Sequence, residues 1–250
     1  MTGGGAPRHC RADPPRLTRF ALPAAASPAR ILLHPGFHHT GNAAVETLLW
    51  DQRDLLAPHL QVILPRHLDP VLHLARGYAR KGNPLILADM AGALERVFTQ
   101  HPPAPGRDMV ISAAGLSGLP PGQGPVRDYG HAGVLCAFLT GWLAERWPSA
   151  ELSVVYTTRS RDTWLREQWL HTAHGDSGGF PAFRRRFATL DLDATVAEIA
   201  GALAPVAIYA LPLDDAMQHP AGPGGALLEL AALPAALRDR LAEAHGMAGG

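Results

Sequence analysis

The order of residues predicts an α/β fold in three layers, with helices covering both faces of a central, mostly parallel sheet. Three observations carry that reading. Short apolar runs rich in β-branched residues alternate with stretches at helical spacing. One of those runs, Leu152–Thr158, is β-branched and continuous, as a strand buried on both faces is, and Arg30–His34 is a shorter apolar run. The first run passes through a turn holding Gly36 and Gly41 straight into a helical pattern, which is a strand–loop–helix order.

Taken in order, Arg30-Ile31-Leu32-Leu33-His34 is the first strand and stops at Pro35-Gly36. From Asn42 to about Leu60, Val45, Leu48, Leu49 and Leu55 recur at helical spacing. Gln61-Val62-Ile63-Leu64 is a second strand, stopped by Pro65. Helices are expected over roughly Pro70–Lys81 and Leu85–Gln100, then a break at HPPAPGR and a third strand at Asp108–Ser112. Gly115–Gly130 has the composition of a long loop, either a lid or an unstructured segment. His131–Trp147 predicts a helix, Leu152–Thr158 a strand ending at Arg159, and Asp162–His174 a helix. After the basic Arg184-Arg185-Arg186 come a helix at Ala194–Leu203, a strand at Val206–Leu211, a linker at Gly222–Gly225 and a helix near Ala232–His245. In a sheet so connected, ligands sit beyond the carboxyl ends of the strands, where His34-Pro35-Gly36, Ser112 and Arg159 fall.

The chain's 250 residues suit one sizeable domain, expected over 29–250 behind a flexible Gly/Pro-rich tail over 1–28. Lys plus Arg and Asp plus Glu balance at 22 each, so no overall field points to nucleic acid or an anionic membrane as partner. Apolar runs such as Ala21–Ala26 are far shorter than the ~20 residues of a membrane span. With only Cys10 and Cys136, a disulfide framework is not expected, and a reducing cytoplasm fits.

The stretch Leu33–Ala44, LHPGFHHTGNAA, carries the chemistry. A Gly-rich turn opening a helix aims backbone N–H groups at an anion, and the helix N-terminus adds roughly half a positive charge. A nucleoside triphosphatase also needs a Lys for the terminal phosphates and a hydroxyl for magnesium. Asn42 and Ala43 stand there instead, which speaks against metal-assisted triphosphate hydrolysis. A tight strand-to-helix turn with no ligand is the plain alternative. His34, His38 and His39 on one turn, with no paired acid, make a poor zinc motif, so no metal is expected. Ser112, Ser117 and Ser153 lack the setting of a nucleophilic hydrolase.

LHPGFHHTGNAAVETLL resembles the 5′-phosphosulfate loop of P-loop sulfotransferases, particularly the bacterial members, in which His-x-Gly-x-His-Lys-Thr-Gly-Thr-Thr follows the first strand. His34, Gly36, His38, Thr40 and Gly41 match, whereas His39 replaces the Lys and Asn42 and Ala43 replace the two Thr. VVYTTRSRDTWLREQW resembles the family's 3′-phosphate segment, with Arg159 matching its Arg and Glu167 standing at its Ser. MVISAAGLSG resembles a Ser-x-Glu-x-Leu-x-Gly stretch through Ser112, Leu116 and Gly118, with Ala114 where an acid is common.

The resemblance implies a sulfotransferase-like fold and transfer of a sulfuryl group from 3′-phosphoadenosine 5′-phosphosulfate, without a metal, to a hydroxyl or amine of a small-molecule or carbohydrate acceptor. It implies that Gly36, Phe37, His38, His39, Thr40, Gly41, Asn42, Ala43, Arg159 and Glu167 hold the nucleotide, with His38 and His39 acting directly in the chemistry. Asn42 would lend its side-chain amide to a phosphate. Arg159 has a second reading as a strand-end Arg paired with Asp162, and Glu167 would have to turn away toward Arg161 or Arg166. Arg184–Arg186 reads as a solvated charge run or as a contact to the nucleotide or an anionic acceptor. The departures also fit a member that keeps the fold and binds an anionic ligand or a protein partner without catalysing transfer.

Overall fold

A computed structural model describes residues 27–172 and 179–248. The expected tail therefore lies almost wholly outside the described residues, as do Cys10 and His174. Five strands, β1 (Arg30–His34), β2 (Leu60–Ile63), β3 (Asp108–Ser112), β4 (Glu151–Thr158) and β5 (Ala207–Pro212), form one parallel sheet in the order β2-β3-β1-β4-β5. β1 lies in the centre, with Leu33 opposite Ile111 on one side and Val154 on the other.

Period-two alternation divides the strand side chains between two cores. Ile31, Leu33, Met109, Ile111, Val154 and Tyr156 face a layer containing α3 (Pro65–Lys81), α4 (Leu85–Gln100), α5 (Gly130–Arg146) and α8 (Leu192–Ala202). Leu32, Val110 and Val155 face α1 (Asn42–Asp51), α2 (Arg53–Leu56), α10 (Gly222–Leu228) and α11 (Ala235–Ala248). The result is three-layered. Among the described residues no helix is long and apolar enough to cross a membrane.

The connections set the ligand crevice. From β1 the chain crosses to β2 on one side, and from β4 it crosses to β5 on the other, so β1 and β4 flank the point where the winding direction reverses. The loop after β1 and Arg159 after β4 stand at this point.

Several elements differ from expectation. The stretch from Asn42 to Leu60 is not one helix: α1 ends at Asp51, α2 follows as a single turn, and β2 already begins at Leu60. Helix α3 starts at Pro65, not Pro70, because Pro65 sits at its first turn and the His67 imidazole accepts the Leu64 N–H at 2.9 Å as a cap; Pro70 is accommodated on the exposed face. Gly115–Gly130 is not unstructured. A 3₁₀ turn (Ala114–Ser117) leads into a segment whose Leu116, Ser117, Leu119, Val126 and Tyr129 are buried. Gly222–Gly225 is the start of α10, not a linker. A Cβ on Gly224 would come within 3.0 Å of the Leu48 Cβ, so the missing side chain is what lets α10 lie against α1. Helix α8 begins at Leu192 because the Asp191 carboxylate caps the Ala194 N–H at 3.0 Å.

Candidate functional site

His34 closes β1. It is fully buried, and its imidazole joins three strands at their carboxyl ends: Nδ1 lies 2.8 Å from the Ser112 hydroxyl on β3 and Nε2 2.7 Å from the Thr157 hydroxyl on β4. A neutral ring satisfies both contacts, donating through one nitrogen and accepting through the other. Burial presses its pKa down to about 4. His34 and Ser112, both placed near the site by sequence, are thus the brace beneath the loop.

The loop itself, residues 35–41, is held through its carbonyls. The Ser117 hydroxyl donates to the Gly36 carbonyl at 2.6 Å, and the Thr40 hydroxyl to that of Phe37 at 2.7 Å. The Asn42 amide also donates to the Phe37 carbonyl, and to the Thr40 hydroxyl at 3.3 Å. The Trp164 indole N–H donates to the His38 carbonyl at 2.6 Å, and the Arg159 guanidinium to that of His39 at 3.2 Å. Four successive carbonyls, from Gly36 to His39, are therefore drawn into the protein by side-chain donors.

The N–H groups show the opposite pattern. That of His38 donates to the Tyr129 hydroxyl at 3.1 Å, but those of His39, Thr40, Gly41, Asn42 and Ala43 have no acceptor among the described residues. His39 and Gly41 both have positive φ, 62° and 88°, and the right-handed helix starts at Asn42. Left-handed Gly41 followed by right-handed Asn42 is a backbone arrangement that can turn successive N–H groups to one side, here at a helix N-terminus. Gly41 is required twice over: its φ disfavours a side chain, and a Cβ would come within 2.5 Å of Leu213, at the start of α9 (Leu213–Ala216).

Side chains expected to face an anion do not all do so. Thr40 and Asn42 are buried and turned inward, with the Asn42 amide packed where a Cβ on Gly36 would clash with it. Asn42 thus shapes the loop and does not lend its amide to a ligand, because the amide is engaged by Phe37 and Thr40. Phe37 is fully buried and stacks on Tyr156 with ring centroids 4.8 Å apart. Ala43, exposed at the first turn of α1, offers only its backbone.

His38 and His39 diverge. The His38 Nδ1 is 3.2 Å from the Tyr129 hydroxyl; burial first, then the neighbouring His39, His131 and Arg76, hold its pKa down to about 4. His39 points toward α6 (Arg161–Thr172), its ring 4.4 Å from that of His171. Burial and His171 lower its pKa below the ordinary value, outweighing Gln168 and Glu167. Both imidazoles are therefore neutral near pH 7.

Arg159 is not paired with Asp162, which Arg184 of α7 (Gly179–Arg186) holds in a two-point ion pair at 3.1 and 3.0 Å. Its reach is instead across the crevice to the loop, and its Nε is buried without a partner among the described residues. Glu167 does not turn to Arg161 or Arg166: the former donates to the Ala188 carbonyl at 2.6 Å and the latter lies over Phe180. Its carboxylate acts on His39 from α6.

The structure thus brings together Gly36–Ala43, Arg159 and Glu167. Sequence reasoning missed Ser117, Tyr129, Trp164 and His171, which reach the loop from three other segments and carry no spacing signal. Among the described residues no group of three or more His, Cys, Asp or Glu side chains is arranged to hold a metal ion. No protein-family model matches the chain, and no curated protein matches it.

Proposed function

We propose that the chain is a P-loop, sulfotransferase-like protein whose loop holds the 5′ phosphosulfate group of 3′-phosphoadenosine 5′-phosphosulfate. The single observation that supports this most is that the N–H groups of His39–Ala43 have no acceptor among the described residues, those of the partly open His39, Gly41 and Ala43 included, on a loop whose carbonyls from Gly36 to His39 are tied down by side-chain donors. An anion there meets only donors and the positive end of α1. Arg159, at the end of β4, brings a side-chain cation to the loop through its bond to the His39 carbonyl.

Sulfuryl transfer places charge on the bridging oxygen of the leaving phosphate, and donors fixed beforehand at that oxygen lower the barrier. In this chain those donors are loop amides and the neutral imidazole N–H of His39, not an ammonium. The acceptor is a hydroxyl or amine of a small molecule or carbohydrate.

A second reading, binding of an anionic ligand without transfer, is favoured by one specific feature: no side-chain cation of the loop itself faces the anion, while Glu167 acts on His39 from the other side. Calorimetric titration with 3′-phosphoadenosine 5′-phosphate tests the shared premise. Micromolar binding that weakens with added salt is expected; absence of binding at millimolar nucleotide overturns the sulfotransferase reading and leaves the second only for a different anion. A transfer assay with the phosphosulfate then separates them.

A further inference from the structure

Ala43, Glu46 and Trp50 follow one another along a single face of α1, at i, i+3 and i+7, so the Glu46 side chain stands one turn from the last free N–H of the loop. This face borders a cavity of about 430 Å³ between α1 and the start of α3. Glu46, Thr47, Asp51 and Arg66 bring polar groups to it, and Trp50 and Leu64 form apolar wall. The cavity opens at the carboxyl end of the sheet, because Leu64 and Pro65 directly follow β2.

Within it the polar groups are partly engaged: the Ala114 backbone amide faces Glu46, and Arg66 stacks on Trp50. Among the described residues Glu46 forms no ion pair, and neither does Arg66, whose guanidinium lies 3.2 Å over the Trp50 ring. Asp51 adds a second carboxylate, so acids outnumber the one guanidinium and a negatively charged occupant is disfavoured. Two acceptor carboxylates, a hydroxyl and a guanidinium instead match the alternating donors and acceptors of a polyhydroxylated molecule.

Resting on the sulfotransferase reading above, we infer that this cavity is the acceptor site, that it takes a neutral carbohydrate hydroxyl, and that Glu46 is the catalytic base. The acceptor O–H proton passes to the Glu46 carboxylate as its oxygen bonds to sulfur. The bond from sulfur to the bridging oxygen breaks, and its electron pair leaves with the phosphate. No metal or redox partner enters the balance.

The acidity of Glu46 suits that part. Burial raises its pKa to about 7, only partly offset by the Ala114 backbone amide, and a base titrating near the working pH is the effective one. The ionisable groups that share its cavity are Asp51 on α1 and Arg66 on α3; the segment after β3, Ala113–Ser117, brings none.

The test combines nucleotide titration with transfer from the phosphosulfate to 4-nitrophenyl glucoside and to the matching glucuronide. Wild-type protein is expected to prefer the glucoside by at least about tenfold, with kcat/KM rising with pH through about 7. Glu46→Gln should lose about 10²-fold or more of the rate and the pH limb, with the nucleotide Kd unchanged. A Glu46→Gln rate within a few-fold of wild type, a limb that persists in it, a preference for the glucuronide, or no transfer to either compound despite nucleotide binding would each overturn the inference. Absence of nucleotide binding would instead remove the reading on which it rests.

Discussion

The Arg159 guanidinium donates to the His39 carbonyl at 3.2 Å, joining the end of β4 to the loop that follows β1. One side chain thereby fixes a loop residue at positive φ and presents a cation to the crevice between the two strands. Arg159→Ala should weaken binding of 3′-phosphoadenosine 5′-phosphate by tenfold or more, in line with the ~1.5–3 kcal/mol of a hydrogen bond to a charged group. Arg159→Lys should recover the charge but not the two-directional geometry, and so only part of the affinity. Titration calorimetry on the three proteins distinguishes these outcomes; equal affinities would show that Arg159 plays no part.

Trp164 contributes through its N–H as well as its ring. Trp164→Phe keeps most of the apolar contact but leaves the His38 carbonyl without a donor, which should cost about 1–3 kcal/mol of stability. The midpoint of urea unfolding should fall with an unchanged slope.

His34 makes the fold sensitive to acid. Its folded pKa, about 4, lies below the ordinary 6.5, so the unfolded chain binds the extra proton first. Its contribution is complete above pH 6.5 and is withdrawn as pH falls toward 4, by about 3 kcal/mol. His38 is lowered to about 4 as well and adds to the same window. In His34→Asn, stability should be lower at pH 7 but fall less between 6.5 and 4, measured by unfolding midpoints across that range.

Gly41→Ala should destabilise by about 1–3 kcal/mol through its left-handed backbone, with a further loss from the contact with Leu213. Adding Leu213→Ala removes the clash and not the strain. Thermal unfolding of the double variant should therefore show no recovery of the backbone part.

Under the transfer reading, His39 is the weak point of the loop, because it is neutral near pH 7. His39→Lys should raise the transfer rate by roughly tenfold, in line with the ~1–1.5 kcal/mol by which a charged hydrogen bond exceeds a neutral one. An unchanged single-turnover rate would show that position 39 does not meet the leaving oxygen.

The strands and the place of the loop were legible because both follow from local rules. Leu152–Thr158 is β-branched and continuous, and Gly36 and Gly41 mark a strand-to-helix turn. The direction of the loop's side chains was not. Asn42 looks like a ligand-facing amide until Gly36 is seen to leave space for it on the inside. Glu46 was invisible for a related reason: a Glu in the second turn of an amphipathic helix is ordinary until the start of α3 and Ala114 close around it. Gly115–Gly130 misled because its Gly and Pro content hides Leu116, Leu119, Val126 and Tyr129, which bury the segment.

The donors that tie down the carbonyls of Gly36 to His39 come from Ser117, Thr40, Asn42, Trp164 and Arg159, so the loop acquires its shape from the protein and not from what it holds. An incoming anion has little backbone freedom left to freeze, and its association should be fast and free of a slow conformational phase. The same scaffold carries an evolutionary consequence: exchanges at Ser117 or Trp164, which leave the row of free amides untouched in sequence, would retune affinity from behind the loop.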